Sequence, residues 1–140
     1  MSSPSVAELA DTPLFGELSS DDLLVLSSWL ESEEVSVGQH LTQEGASGYA
    51  FFVLHEGTAD VQVDGAVVRT LGASDYFGEV ALFEDEGRRT ATVVMTSPGV
   101  VWTLFGTRFR QLQQRYPDIA AAIQRSATER HGQPGDSSQP

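Results

Sequence analysis

The chain has 140 residues, no cysteine and a formal net charge of −12, set by 20 acids against 8 arginines with no lysine at all. That length fits one domain, and the missing cysteines exclude a disulfide framework and a thiolate metal site. The acidic balance disfavours direct binding to nucleic acid. The charge is unevenly spread: residues 1–107 hold 17 acids and 3 arginines, whereas residues 108–140 hold 3 acids and 5 arginines.

Residues 1–12 read as a flexible lead-in, without the basic start and apolar stretch of a secretory signal. No apolar run approaches the ~20 residues of a membrane-spanning helix, so the expected location is cytoplasmic, with no membrane contact. "ELSSDDLLVLSSWLE" predicts a short helix: Ser19 caps it, acids occupy the first turn, and Leu23, Leu26 and Leu30 share a face. From Val35 the texture changes to short β-prone runs punctuated by glycine. "YAFFVLHEG" predicts a strand. "TADVQV" alternates apolar and polar residues, and Asp64-Gly65 between "VQV" and "AVV" is a strong hairpin signal. "TATVVMT" and "VVWTLF" predict two more strands, joined through Ser97-Pro98-Gly99. Turn signals at this spacing point to a barrel or sandwich rather than β-α-β units.

After Phe105 the period returns to that of a helix. Phe109, Leu112 and Tyr116 form one stripe, Pro117 breaks it and suits the first turn of a following helix, and "DIAAAIQRSATER" continues with Ile119 and Ile123 four apart. Residues 132–140 read as a disordered tail.

The chemistry concentrates in "FGEVALFEDEGRRTAT", Phe77–Thr92. Gly78 permits a sharp turn, and a helical turn beginning near Glu79 would present free backbone N–H groups as an anion nest. Arg89 opens a strand and can meet a phosphate through two parallel hydrogen bonds. Glu79, an acceptor only, suits a sugar hydroxyl. Alternation puts Arg88 on the opposite face, where Glu84, Asp85 or Glu86 can partner it.

The run "FGEVAL", followed ten residues after its glutamate by "RTAT", resembles the phosphate-binding cassette of cyclic-nucleotide-binding domains of the catabolite activator and protein kinase regulatory subunit type. "VGQHLTQEG" and "YAFFVLHEGTADV" upstream resemble the same family's glycine-punctuated roll, so the likeness runs from about residue 12 to residue 130. It implies a mainly β fold, a jelly-roll-like antiparallel β-roll with one N-terminal and two C-terminal helices, occupying residues 13–131. It also implies roles by position. Glu79 receives the ribose 2′-hydroxyl, Arg89 pairs with the cyclic phosphate, and Gly78 with the amides of Val80, Ala81 and Leu82 lines the cassette. Thr90 adds a hydroxyl near phosphate or base, which leaves cAMP and cGMP both open. Arg88 stands where many members have proline, and a last helix ending near Arg130 leaves a short lid.

The function implied is that of a non-enzymatic regulatory sensor that binds cAMP or cGMP as ligand, needs no cofactor, and passes the signal to a protein effector through its C-terminal helices. The alternative is the same fold without ligand binding, acting as an interaction module. The architectural rival, a cupin-type metalloenzyme, needs two histidines separated by one residue with further ligands. His40, His55 and His131 lack that spacing, and no nucleophile–base pair stands out. Trp29 and Trp102 suit core positions.

Overall fold

Local sequence explains most of the element boundaries in the computed structural model, which describes residues 3–42, 50–77 and 91–132. Helix α1 (Val6–Ala10) starts on a capping box, in which the Ser5 hydroxyl accepts from the Glu8 N–H and the Glu8 carboxylate accepts from the Ser5 N–H. Helix α2 (Ser20–Trp29) starts on Ser19, whose side chain accepts from the Asp22 N–H, and buries Leu23 and Leu26. Eight strands follow: β1 (Glu31–Val35), β2 (His40–Thr42), β3 (Ala50–Glu56), β4 (Ala59–Val63), β5 (Ala66–Leu71), β6 (Tyr76–Phe77), β7 (Thr92–Met95) and β8 (Gly99–Phe105). Helices α3 (Gly106–Arg115) and α4 (Pro117–Gly132) complete the described chain.

The strands pair antiparallel into two four-stranded sheets, ordered β1-β8-β3-β6 and β2-β7-β4-β5. Asp64 and Gly65 take positive φ (53° and 82°), as the tight turn between β4 and β5 demands. Where β3 and β8 cross at a bulge, Gly99 is pressed against the Glu56 carbonyl, and a Cβ there would collide with it.

Strand alternation builds two cores from one sheet. On β3, Leu54 and Phe52 face inward to a cluster shared by both sheets, with Val61, Leu71, Val93 and Met95 from the second sheet and Phe77 and Val101 from the first. Phe51 and Val53, with Trp102 and Leu104 of β8, face outward to the helices. There they meet Leu23 and Leu26 of α2, Phe109 and Leu112 of α3, and Ile119 and Ile123 of α4. Each such fully buried side chain contributes about 1.5–3 kcal/mol. Helix α3 must stop before Pro117, which has no N–H to donate. Tyr116 closes it, its N–H donating to the Leu112 carbonyl.

The mainly β roll with helices at both ends agrees with the sequence reading, and the tryptophans behave as expected: Trp102 is fully buried and Trp29 packs at the helical core's edge. Two differences stand out. Residues 6–10, read as part of a flexible lead-in, form α1. Five residues cannot hold a helix alone, but Leu9 is fully buried in the helical core and the Ser27 hydroxyl donates to the Pro4 carbonyl. Strand β1, "ESEEV", is acidic and does not read as a strand. Among the described residues it pairs only with β8, at the sheet edge, so its acids remain in water. Among the described residues, no helix is long and apolar enough to cross a membrane.

Candidate functional site

The residues singled out by sequence, Gly78, Glu79, Val80, Ala81, Leu82, Arg89 and Thr90, together with Arg88, lie outside the described residues. The structure instead describes the residues on either side of that segment and the interior on which they pack.

The first anchor is Phe77. It ends β6, is almost fully buried, and stacks on Phe52 of β3 with ring centroids 5.0 Å apart and planes within 17°. Its approach is held from both sides. The Leu54 N–H donates to the Asp75 carbonyl (2.8 Å), the Ser74 N–H donates to the Leu54 carbonyl (2.7 Å), and the Gly72 N–H donates to the Asp75 carboxylate (2.7 Å).

The second anchor is Ala91, which packs against the same inner cluster as Phe52. Buried Thr42 on β2 clamps it: the Thr42 hydroxyl donates to the Ala91 carbonyl (3.0 Å) and accepts from the Val93 N–H (3.1 Å). Phe77 and Ala91 therefore pack on one apolar interior. Sequence reasoning missed Thr42, because a lone threonine in a short strand carries no signal of its own.

Directly opposed residues on antiparallel strands share a face. Across the second sheet the register aligns Thr42 with Val93, Val93 with Val61, and Val61 with Arg69. Val93 and Val61 belong to the inner cluster, so Arg69 rises on the interior side of β5, half-buried at the rim. A β-bulge beside this rung, between Val61 and Gln62, twists the strand there. Arg69 was passed over at sequence level because only the pairing register decides which way it faces. The interior is thus a packed apolar cluster, with Arg69 beside it on β5.

The outer face of the first sheet is chemically different. His55 stacks on Trp102 (4.4 Å, 19°), and its Nε2 lies 3.2 Å from the Glu8 carboxylate and 3.8 Å from that of Glu56. The Ser5 N–H, above all, holds the Glu8 carboxyl below the usual carboxylate range; burial opposes this, while the Ser5 hydroxyl and His55 reinforce it. Among the described residues no three metal-ligating side chains gather. At the helical end, the Tyr116 hydroxyl donates to the Asp22 carboxylate (3.1 Å), tying the α3–α4 junction to α2. Burial first, and then the hydrogen bond and negative charge of Asp22, push the Tyr116 phenol up.

Residues 32–116 match the family model described as the cyclic nucleotide-binding domain. The cAMP-dependent protein kinase regulatory subunit of Eremothecium gossypii is 41% identical over 105 residues, covering 74% of this chain and 23% of that protein. The cGMP-dependent protein kinase, isozyme 1, of Drosophila melanogaster is 35% identical over 103 residues, covering 69% of this chain and 13% of that one. This chain therefore spans less than a quarter of the length of either relative. Among solved structures, the regulatory subunit of a cAMP-independent protein kinase A from Trypanosoma cruzi, bound to guanosine, superposes with a TM-score of 0.74 at 28% identity, covering 87% of this chain and 44% of that one.

Proposed function

Since the chain belongs to the cyclic nucleotide-binding domain family, we propose that it is a non-enzymatic, cytoplasmic sensor domain that holds a cyclic nucleotide between the 78–90 segment and the roll. One observation supports this reading: the residues on either side of that segment, Phe77 and Ala91, pack on a single apolar cluster inside the roll. In this reading Arg89 grips the cyclic phosphate with its planar fork and Glu79 accepts from the ribose 2′-hydroxyl. Gly78 and the amides of Val80, Ala81 and Leu82 close around the phosphate, and Thr90 adds a hydroxyl. The purine lies between this segment and the roll.

The ligand is cAMP or cGMP. The relatives include kinases named for each nucleotide.

The output is a change in α3 and α4. These helices pack on the outer face of the sheet whose inner face forms the roll interior, so a ligand that binds one helix arrangement more tightly shifts the population toward it. A tenfold preference corresponds to ~1.4 kcal/mol.

Calorimetric titration and thermal shift with cGMP, cAMP and guanosine test the reading. Ligand at ~100 times its dissociation constant adds ~2.7 kcal/mol of stability, a rise of several degrees. Guanosine, lacking the phosphate, should shift the chain least. Arg89→Ala should abolish the shift with either cyclic nucleotide and Arg88→Ala should keep most of it. The absence of any shift at millimolar cAMP and cGMP would overturn the sensor reading in favour of a ligand-free docking module.

A further inference from the structure

The charge of the chain reverses on α3. Arg108, Arg110 and Arg115 are exposed and α3 contains no acid. Among the described residues none of the three forms an ion pair with a carboxylate, although the chain has 20 acids for 8 arginines. Arg108 and Arg115 are seven residues apart on one flank of the helix, which places their attachment points about 10.5 Å apart. Each rests on an aromatic ring: Arg108 lies 6.0 Å above Trp29 and Arg115 lies 5.8 Å above Tyr116. The two rings meet edge to face at 6.1 Å, and between the arginines Gln111 accepts a hydrogen bond from Arg108 Nη1 (2.9 Å). Stacking of this kind restrains a long side chain before any partner arrives, which lowers the entropy lost on binding. Arginine beside tryptophan and tyrosine is also the composition of interface hot spots.

We propose that this ridge docks a short, extended acidic segment of a partner protein, with carboxylates three residues apart meeting Arg108 and Arg115. The spacing is the argument for the occupant: in an extended chain of the polyproline II kind, with three residues per turn and a rise of about 3.1 Å, residues three apart share a face about 9 Å apart. Its size follows from charge: a nucleic acid or an anionic membrane would also meet the acidic body and be repelled. The inference rests on the reading of α3 and α4 as the output of the sensor and names the kind of partner that reads them.

The test uses the full chain and a fluorescein-labelled ten-residue peptide with glutamate at every third position and serine between, followed by fluorescence anisotropy at 50 and 200 mM salt. The glutamate peptide should bind at least tenfold more tightly than the same peptide with glutamine, and its affinity should fall as salt rises. The double variant Arg108→Glu with Arg115→Glu should lose at least tenfold, whereas Arg125→Glu, an exposed arginine on α4, should stay within twofold. Circular dichroism and the cyclic nucleotide thermal shift on the double variant separate the two readings. Docking lost with nucleotide binding kept is the expected result; docking kept in a wild-type chain that ignores nucleotides would sink only the sensor reading. Equal binding of the glutamate and glutamine peptides, or undiminished binding by the double variant, would overturn the docking surface. A dimer of the wild type in sedimentation that the double variant abolishes would assign the ridge to a second copy instead.

Discussion

Replacing Tyr116 by Phe removes one oxygen from the junction of α3 and α4 and leaves the ring in place. That oxygen donates to the Asp22 carboxylate across 3.1 Å, joining residues 94 positions apart. A hydrogen bond to a charged group contributes about 1.5–3 kcal/mol. Asp22 is only half-buried, so water replaces part of what it loses, and the packing against Trp29 survives because it needs only the ring. The expected cost is therefore about 1 kcal/mol, a Tm lower by about 4 °C for a domain of this size. Asp22→Asn should cost a similar amount, and the double variant should cost less than the sum of the two, because both remove one interaction. The alkaline limb supplies a second reading. Tyr116 is raised in the folded state, first by burial and then by Asp22. A raised group contributes stability that is complete below its unfolded value and lost as pH climbs through the folded one. Wild type should therefore lose stability above about pH 10 more steeply than Tyr116→Phe. Thermal unfolding followed by circular dichroism at pH 7 and pH 10.5 measures both effects. Equal Tm values at pH 7 with parallel alkaline limbs would refute the hydrogen bond as a restraint on the junction.

Further outcomes follow from particular contacts. Leu9→Ala should destabilise the fold by about 3 kcal/mol in urea titration, the cost of a cavity in the helical core; a lead-in without structure would show no change. Gly99→Ala should cost about 2–3 kcal/mol by the same assay, because its Cβ must push the Glu56 carbonyl aside. For Glu8 the sign is opposite to that of Tyr116. Its carboxyl is held low, chiefly by the Ser5 N–H, so the support it gives α1 is present above the usual carboxylate range and lost as pH falls through its folded value. The protection factor of the Ser5 amide should fall between pH 6 and pH 3, and Glu8→Gln should flatten that dependence.

Local pattern determined a large share of this molecule. The Asp64-Gly65 turn, the apolar run of β3, the alternation along β4, the Phe109–Leu112–Tyr116 stripe and the break at Pro117 all depend on neighbours within a few residues, and each is legible without a fold. The glutamate and arginine of the 78–90 segment are read from a local motif as well, and they lie outside the described residues. Tertiary structure alone decided the rest. Five residues fold as α1 because Leu9 has a core to enter, and "ESEEV" becomes a strand because β8 offers it an edge. Arg69 faces the interior because β4 and β5 pair in one register; a shift of one residue would send it outward. Thr42 clamps Ala91 from a position 49 residues away. A sequence window encodes which groups are present and how often they repeat, but which distant groups meet is set by the packing that minimises exposed apolar surface across the whole chain.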